Sequence, residues 1–162
     1  RQARPGHSRK QAEDLGHARV SKVGRSRLEE ERQIHEERHR PNANEAELLT
    51  GCSSPLAAAQ ALVAEGASLV AIKLGETGCV VCTPTEAQEL PAFETEVQAY
   101  LGAGDAFNGG FLHGFLRGWP LEQMGRFAIA TASLKLRTPG TQSGLPTESE
   151  VETFLEERLR DL

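Results

Sequence analysis

The sequence is poor in aromatic residues, in cysteine and in long apolar runs. Of its 162 residues, 5% are aromatic and 38% are hydrophobic, which is low for an enzyme and suggests that part of the chain lies outside the core. No apolar run approaches the ~18–20 residues of a membrane span, and no signal-peptide pattern opens the chain. The length still suffices for one ordinary domain with a sizeable core.

A surplus of positive charge is also absent. The formal net charge of −5 argues against a general nucleic-acid binder, because phosphate contacts require a basic surface. Residues 1–41 hold 11 Lys and Arg against 7 Asp and Glu, whereas residues 42–162 hold 7 against 16. Residues 1–40 carry no continuous apolar stripe, so we predict a polar, basic segment there that is disordered or irregular. A basic arm for an acidic partner is the alternative.

Three cysteines form no disulfide framework, which favours a protein of the reducing cytosol. Cys79 and Cys82 have C-x-x-C spacing within an apolar stretch that is typical of a strand. Positions i and i+3 of a strand face opposite sides, so the two thiols cannot hold a metal together. No second Cys or His pair completes a zinc site. We therefore predict that both cysteines are structural.

The chain from residue 41 to residue 162 predicts a single folded region. A short helix is expected with Asn44 as its cap and Gly51 as its stop, and Ser54-Pro55 opens a second helix that Gly66 closes. The other predicted elements are strands over 68–73 and 79–83 joined by a turn at 75–78, a strand region over 88–97 broken by Pro91, and helices over 105–116, 121–135 and 147–160. This order predicts an α/β sandwich.

The stretch from Gly102 to Asp105 is the most informative part of the chain. Small residues let a backbone approach a ligand closely, and a helix that begins near Gly104 would leave the amides of 102–105 free to bind an anion. A carboxylate at the same point could accept a proton from an attacking hydroxyl. The alternative is that Asp105 only caps the helix and that the glycines only form a loop.

The chain reads Gly102-Ala-Gly-Asp105, then Ala106-Phe107 and then Gly109-Gly110. Together these residues resemble the C-terminal signature of the ribokinase (PfkB carbohydrate kinase) family, which favours the anion-binding interpretation. The resemblance implies the C-terminal half of a ribokinase-like three-layer α/β sandwich. It also implies transfer of the ATP γ-phosphoryl group to a sugar hydroxyl, with Asp105 as catalytic base. The amides of Gly102, Ala103, Gly104 and Asp105 would then stabilise the transition state.

Three other segments match the family in order, so that the resemblance covers about residues 41–160. Asn44-Glu-Ala-Glu47 is similar to the N-x-x-E motif that places Mg²⁺ and the triphosphate, with Glu47 toward the metal. The segment from Lys73 through Gly75 to Gly78 resembles the strand end that lines the nucleotide, and the segment with Gly140 resembles the surroundings of the adenine. Without the family, Asn44 could be only a cap, Glu47 a solvated side chain, and the glycines parts of a hairpin turn.

The sequence departs from the family in two respects. Ala99-Tyr100-Leu101 stands where the family has Asp-Thr-Thr or Asp-Thr-Asn, which removes polar groups near the phosphate loop and ligands of the monovalent cation that many members hold. Residues 1–40 also show neither the glycine pairs nor the alternating strands of the family's sugar-binding first half. We therefore expect a truncated, split or degenerate kinase that binds Mg²⁺ and ATP, with a sugar as acceptor. A non-catalytic nucleotide-binding or interaction module is the alternative, and a homodimer or a complementing N-terminal half are the partners left open.

Overall fold

A mixed four-stranded sheet lies at the centre of the described residues. The computed structural model describes residues 38–39, 41–140 and 142–160. Strands β1 (Arg38–His39), β2 (Leu69–Lys73), β3 (Cys79–Cys82) and β4 (Ala87–Leu90) are neighbours in that order. β1 runs parallel to β2, while β2, β3 and β4 are antiparallel. The hairpin predicted across the 75–78 turn is confirmed.

Five helices complete the described part of the fold. They are α1 (Ala43–Thr50), α2 (Pro55–Ala64), α3 (Ala103–Leu116), α4 (Leu121–Leu136) and α5 (Glu148–Leu159), and a 3₁₀ turn covers Gly75–Thr77. In the part of the chain that the structure describes, none of these helices combines the length and the apolar character needed to traverse a lipid bilayer.

The two central strands supply two separate cores, because successive side chains of a strand point to opposite faces of the sheet. One core joins the sheet to α1 and α2 and includes Val70, Ile72, Val80 and Cys82. The other joins it to α3 and α4 and includes Leu69, Ala71, Cys79 and Val81. The result is a helix–sheet–helix sandwich. The two cysteines of the C-x-x-C lie in different cores, as the strand period predicts.

The first helix begins earlier than the sequence predicted. Asn42, not Asn44, is the N-cap: its side chain accepts a hydrogen bond from the Glu45 amide at 2.9 Å, and the Glu45 carboxylate accepts one from the Asn42 amide at 2.9 Å. Asn42 keeps an extended backbone because it forms a parallel bridge with Lys73. Asn44 therefore lies inside the first turn. The predicted stop at Gly51 is confirmed, with a left-handed φ of 72°.

Two strand boundaries also differ from expectation. β4 ends at Leu90, and the segment from Pro91 to Val97 forms no strand, since a proline cannot donate to the ladder. β1 lies within the segment predicted to be irregular, so the sheet begins before Pro41. The prediction for residues 1–37 and 40 lies outside the described residues.

Apolar side chains are exposed on helix α1, as expected of half a sandwich. Leu48 is 87% exposed and Leu49 is 61% exposed, while Ala46, on the side of the helix opposite Leu48, is buried against the sheet. β1 is the last described strand on that side of the sheet. Its outer edge has no partner strand within the described ranges.

Candidate active site

Helix α3 begins with an unusual cap. Gly102 has a left-handed backbone (φ 86°, ψ −5°) and provides no side chain to bond the first amides. The Ala103 amide donates to Tyr100 O at 3.3 Å. Within the described ranges, the amides of Gly102, Gly104 and Asp105 have no acceptor. Three of the four amides expected from the sequence are thus free to bind an anion, and the helix dipole favours negative charge there.

Asp105 lies in the first turn of α3 and is exposed. Residues 100–105 are all exposed or half-buried, so an anion can reach the turn. The helix begins at Ala103, two residues before the predicted start, so Asp105 is not its N-cap. This removes the alternative in which its carboxylate only caps the helix.

Lys73 brings a positive charge to the same place. It ends strand β2, and its Nζ donates to Asn108 Oδ1 at 3.3 Å. A Cβ built on Gly104 would lie 4.0 Å from Lys73 Nζ, so the ammonium group is close to the backbone of the free amides. The pair crosses from the sheet to α3 and joins the strand end to the helix start.

Two clefts meet at the Gly102–Asp105 turn. The first cleft has a volume of about 440 Å³ and includes Lys73, Gly75, Gly78, Gly104, Ile129 and Ser133. The second cleft has a volume of about 540 Å³ and includes Gly102, Asp105, Gly109, His113, Leu145 and Glu148. Because the turn contributes to both walls, a ligand in either cleft can reach the start of α3.

The glycines of the β2–β3 turn shape the first cleft. Gly75 and Gly78 have φ of 64° and 111°, which L side chains rarely adopt. A Cβ on Gly78 would also overlap Leu90 O, whereas one on Gly75 would meet nothing within 4 Å. Gly78 is thus required by packing against β4. Gly75 leaves the mouth of the cleft open.

The sequence contains the N-x-x-E pattern twice, at 42/45 and at 44/47. Asn44 and Glu47 are exposed on α1 and line neither of the two clefts. Asn42 instead pairs with Lys73 across the sheet, and Lys73 N donates to Pro41 O at 3.0 Å. Asn42 therefore lies beside the end of β2 that carries Lys73, although Asn42 and Glu45 likewise line neither cleft. Of the two overlapping N-x-x-E patterns, only the one that starts at Asn42 begins beside a strand end.

The other predicted site residue, Gly140, lies away from both clefts. It is exposed with φ 97°, and a Cβ there would meet the Ser143 side chain at 3.1 Å. Its place is in the connection between α4 and α5. A role beside the nucleotide stays a prediction.

Asn108 was not identified as a site residue from the sequence. It follows Gly104 by one helical turn, so it lies on the same face of α3, and its polar side chain stands between two phenylalanines that the spacing correctly predicted as core, Phe107 and Phe111. The signal was therefore a polar residue next to an apolar series.

His113 and Trp119 serve packing near the second cleft. The His113 ring stacks on Phe127 with centroids 5.2 Å apart, and the Trp119 ring meets His113 edge-on at 5.4 Å. His113 Nε2 is 3.3 Å from Glu148 Oε1, although the geometry is not that of a hydrogen bond. Both side chains are half-buried.

The cysteines offer no nucleophile to the site. Burial raises the pKa of the Cys79 thiol to about 12 and also raises the pKa of Cys82, so both stay protonated at neutral pH. Within the described residues no cluster of three His, Cys, Asp or Glu side chains is found. A Mg²⁺ ion on nucleotide phosphates requires only one or two carboxylates. Glu45 and Asp105 are carboxylates of that kind.

Comparisons with known proteins agree with this arrangement. A family model described as pfkB family carbohydrate kinase matches residues 39–148. An uncharacterized sugar kinase from Archaeoglobus fulgidus is 36% identical over 106 residues, which cover 65% of this chain and 42% of that protein. The structure of a ribokinase from Thermotoga maritima superposes with a TM-score of 0.67 at 30% identity, covering 74% of this chain and 42% of that one.

A further structure shares the fold alone. A ribokinase II from Escherichia coli in complex with ATP and Mg²⁺ superposes with a TM-score of 0.71 at 22% identity, covering 83% of this chain and 45% of that one. The chain thus spans about two fifths of the length of the curated relatives it matches.

Proposed function

Because this chain belongs to the pfkB family of carbohydrate kinases, we propose that it carries the nucleotide-binding and phosphoryl-transferring part of a sugar kinase. The reaction is transfer of the γ-phosphoryl group of ATP to a sugar hydroxyl. The observation that carries the proposal is the start of α3, where free amides, Asp105 and the Lys73 ammonium group converge between two clefts.

Asp105 is the proposed catalytic base. Its carboxylate accepts the proton of the sugar hydroxyl as that oxygen forms a bond to the γ-phosphorus, and the bond from the γ-phosphorus to the bridging oxygen of ADP breaks. The exposed position of Asp105 in the second cleft supports this role because an acceptor can reach it. The sugar therefore approaches from that side.

The free amides hold the transferred group. Those of Gly104 and Asp105 donate to the equatorial oxygens of the γ-phosphoryl group, where negative charge gathers in the transition state. Because they belong to the backbone of one helix turn, they need no rearrangement. Gly102 keeps this end of the helix clear of any side chain.

The triphosphate and the adenine of ATP occupy the first cleft. Lys73 supplies positive charge to the phosphates, and Asn108 orients its ammonium group through the 3.3 Å hydrogen bond. Gly75 and Gly78 form the rim on the sheet side, and Ile129 on α4 gives the base an apolar surface. Mg²⁺, when bound, would neutralise the β- and γ-phosphate charge. Glu45 and Asn42 are the side chains we assign to its surroundings in place of Glu47 and Asn44.

A second candidate function is nucleotide binding without catalysis. The chain spans only about two fifths of its curated relatives, and transfer requires the acceptor oxygen within ~3–3.5 Å of the phosphorus. If another half of the protein or a partner positions the sugar, this chain alone binds Mg·ATP and turns over slowly or not at all.

Two measurements on the full chain test these functions. Calorimetric titration with Mg·ATP is expected to show saturable binding, and a coupled ADP-release assay with a panel of sugars reports transfer. Binding without ADP release supports the second candidate. Absence of Mg·ATP binding would overturn both and leave a structural role.

A further inference from the structure

One charged side chain lies inside the protein. Of the residues that the structure describes, Lys135 is the only one with a charged group among the buried set, and it is 0% exposed. It occupies the last turn of α4. An ammonium group away from water is unfavourable unless polar groups surround it, so its position requires an explanation.

Backbone carbonyl groups provide the partner of Lys135. Its Nζ donates to Thr138 O at 2.9 Å, just beyond the end of α4. None of the ion pairs within the described ranges involves Lys135. The carbonyls at the C-terminal end of a helix carry partial negative charge. The ammonium group is thus held by one main-chain carbonyl at this end of the helix.

The same helix end holds the segment that leads into the active site. The amides of Gln98 and Ala99 donate to Leu136 O at 2.9 and 3.2 Å, and Thr95 Oγ1 donates to Ser133 O at 3.3 Å. Gly102 follows three residues after Ala99. Whatever fixes the end of α4 therefore also fixes the backbone that enters the phosphate-binding turn.

The residues of this segment do not fit a bound monovalent cation. Where the family has Asp-Thr-Thr or Asp-Thr-Asn, this chain has Ala99-Tyr100-Leu101, which contains no carboxylate. Tyr100 is 81% exposed, so its hydroxyl group does not turn inward, and Leu101 has no side-chain oxygen. The segment that lost these ligands is hydrogen-bonded to the residue next to Lys135.

We propose that the Lys135 ammonium group replaces the monovalent cation that many kinases of this family hold, and that it positions the Gly102–Asp105 turn. The charge is attached to the chain and makes the protein independent of added K⁺. This inference rests on the proposed function where Mg·ATP affinity is measured. The thermal midpoint is measured without nucleotide and does not depend on that function.

The first test uses the unmodified full chain. Its thermal midpoint and its Kd for Mg·ATP are measured in KCl, NaCl and choline chloride at equal ionic strength. We expect no preference for K⁺, with Kd values that agree within about twofold. A rise in midpoint or affinity that is specific to K⁺ would overturn the proposal, since the fixed charge would then not replace the ion.

The second test removes the charge in two ways. Lys135→Met keeps most of the packing volume, and Lys135→Ala opens a space that a small cation can enter. We expect both variants to lose about tenfold or more in Mg·ATP affinity, as for one lost charge-assisted hydrogen bond. Methylammonium or K⁺ should restore midpoint and affinity in Lys135→Ala, and choline should not.

A matched control removes a cation from the same helix. Arg126 pairs with Glu122 at 2.8 Å on the surface of α4, and Arg126→Met should change neither the cation response nor the affinity. If Lys135→Ala responds alike to all cations, the proposal fails. If the wild type binds no Mg·ATP but Lys135→Ala is stabilised by K⁺ or methylammonium, the proposed function fails and this inference stands. If Lys135→Ala does not fold, the cation titration of the wild type still decides.

Discussion

The N-termini of helices α1 and α5 differ from the N-terminus of α3 in how their first backbone amides are bonded. Helices α1 and α5 each open on a capping box, in which Asn42 with Glu45 and Thr147 with Glu150 exchange side-chain and backbone hydrogen bonds. Helix α3 opens on Gly102, which has no side chain to offer. The first two starts satisfy their own amides and contribute to stability. The third leaves the amides of its first turn without an acceptor, so the comparison separates two closed helix starts from the open one at the proposed site.

The position of the open start completes the comparison. Helix α3 begins where the first and second clefts meet and where Lys73 approaches from the sheet. The closed start of α5 borders the second cleft, where Glu148 lies, and its Val151 and Phe154 pack against α4. If the two kinds of helix start differ in role, substitutions at the start of α3 should change Mg·ATP affinity or turnover, and substitutions at the start of α5 should change only the thermal midpoint.

The largest effect is expected from Asp105→Asn. The amide side chain keeps the shape but cannot accept the hydroxyl proton, so in any setting in which the chain turns over, kcat should fall by about a thousandfold or more. Mg·ATP affinity should stay within about threefold because the free amides remain. The ADP-release assay measures kcat, and calorimetric titration measures the Kd for Mg·ATP. Glu148→Gln, in the same cleft, is the control, and retained turnover in Asp105→Asn would refute the base assignment.

A smaller effect is expected from Gly102→Ala. A Cβ at φ 86° costs about 1–2 kcal/mol and moves the free amides, so Mg·ATP affinity should fall about tenfold as well. Gly118 ends α3 with φ 67° and open space around it. Gly118→Ala should lower the thermal midpoint to a similar extent without changing the Kd. Equal losses of affinity in both variants would show that the open start has no special role.

Next in size is Lys73→Met, which removes the charge beside Gly104 and keeps the length of the side chain. We expect a several-fold weaker Kd for Mg·ATP that becomes less sensitive to added salt, because a screened charge interaction is lost. Titrations at two salt concentrations measure it. An unchanged salt dependence would place the phosphates elsewhere.

The smallest functional effect is expected from Thr147→Ala, which opens the capping box of α5. Loss of an N-cap side chain costs about 1 kcal/mol, so the thermal midpoint should fall while Mg·ATP affinity stays constant. Calorimetry on the same sample measures both. A loss of affinity here would mean that the closed helix start also serves the site.

The same capping box predicts a pH dependence. The hydrogen bonds from the Thr147 amide and hydroxyl lower the pKa of Glu150, so the folded state favours the carboxylate. Its contribution to stability is present above the ordinary pKa of Glu and is lost as the pH falls through the lowered one. The midpoint of the wild type should therefore drop more than that of Glu150→Gln on acidification. Parallel curves would contradict this.

Local signals were sufficient for most of the fold. The apolar runs predicted as strands over 68–73 and 79–83, the helix stop at Gly51 and the Ser54-Pro55 start are each local features of the sequence, and the structure confirms them. The errors fall where distant residues compete with a local signal. Asn44 satisfies every local rule for a cap, but the bridge between Asn42 and Lys73 keeps residue 42 extended and moves the helix start.

By itself, the sequence determined the order of the elements, the two faces of the sheet and the Gly102–Asp105 turn, because each depends on residues close together in the chain. Only the tertiary structure decided that Lys73 and Asn108 meet beside that turn, that Asn42 and not Asn44 caps the first helix, and that Lys135 is buried. The first two depend on contacts between residues 35 and 31 positions apart, and the third depends on packing around the end of α4. No local pattern encodes such contacts, since packing of the sheet against its helices selects them.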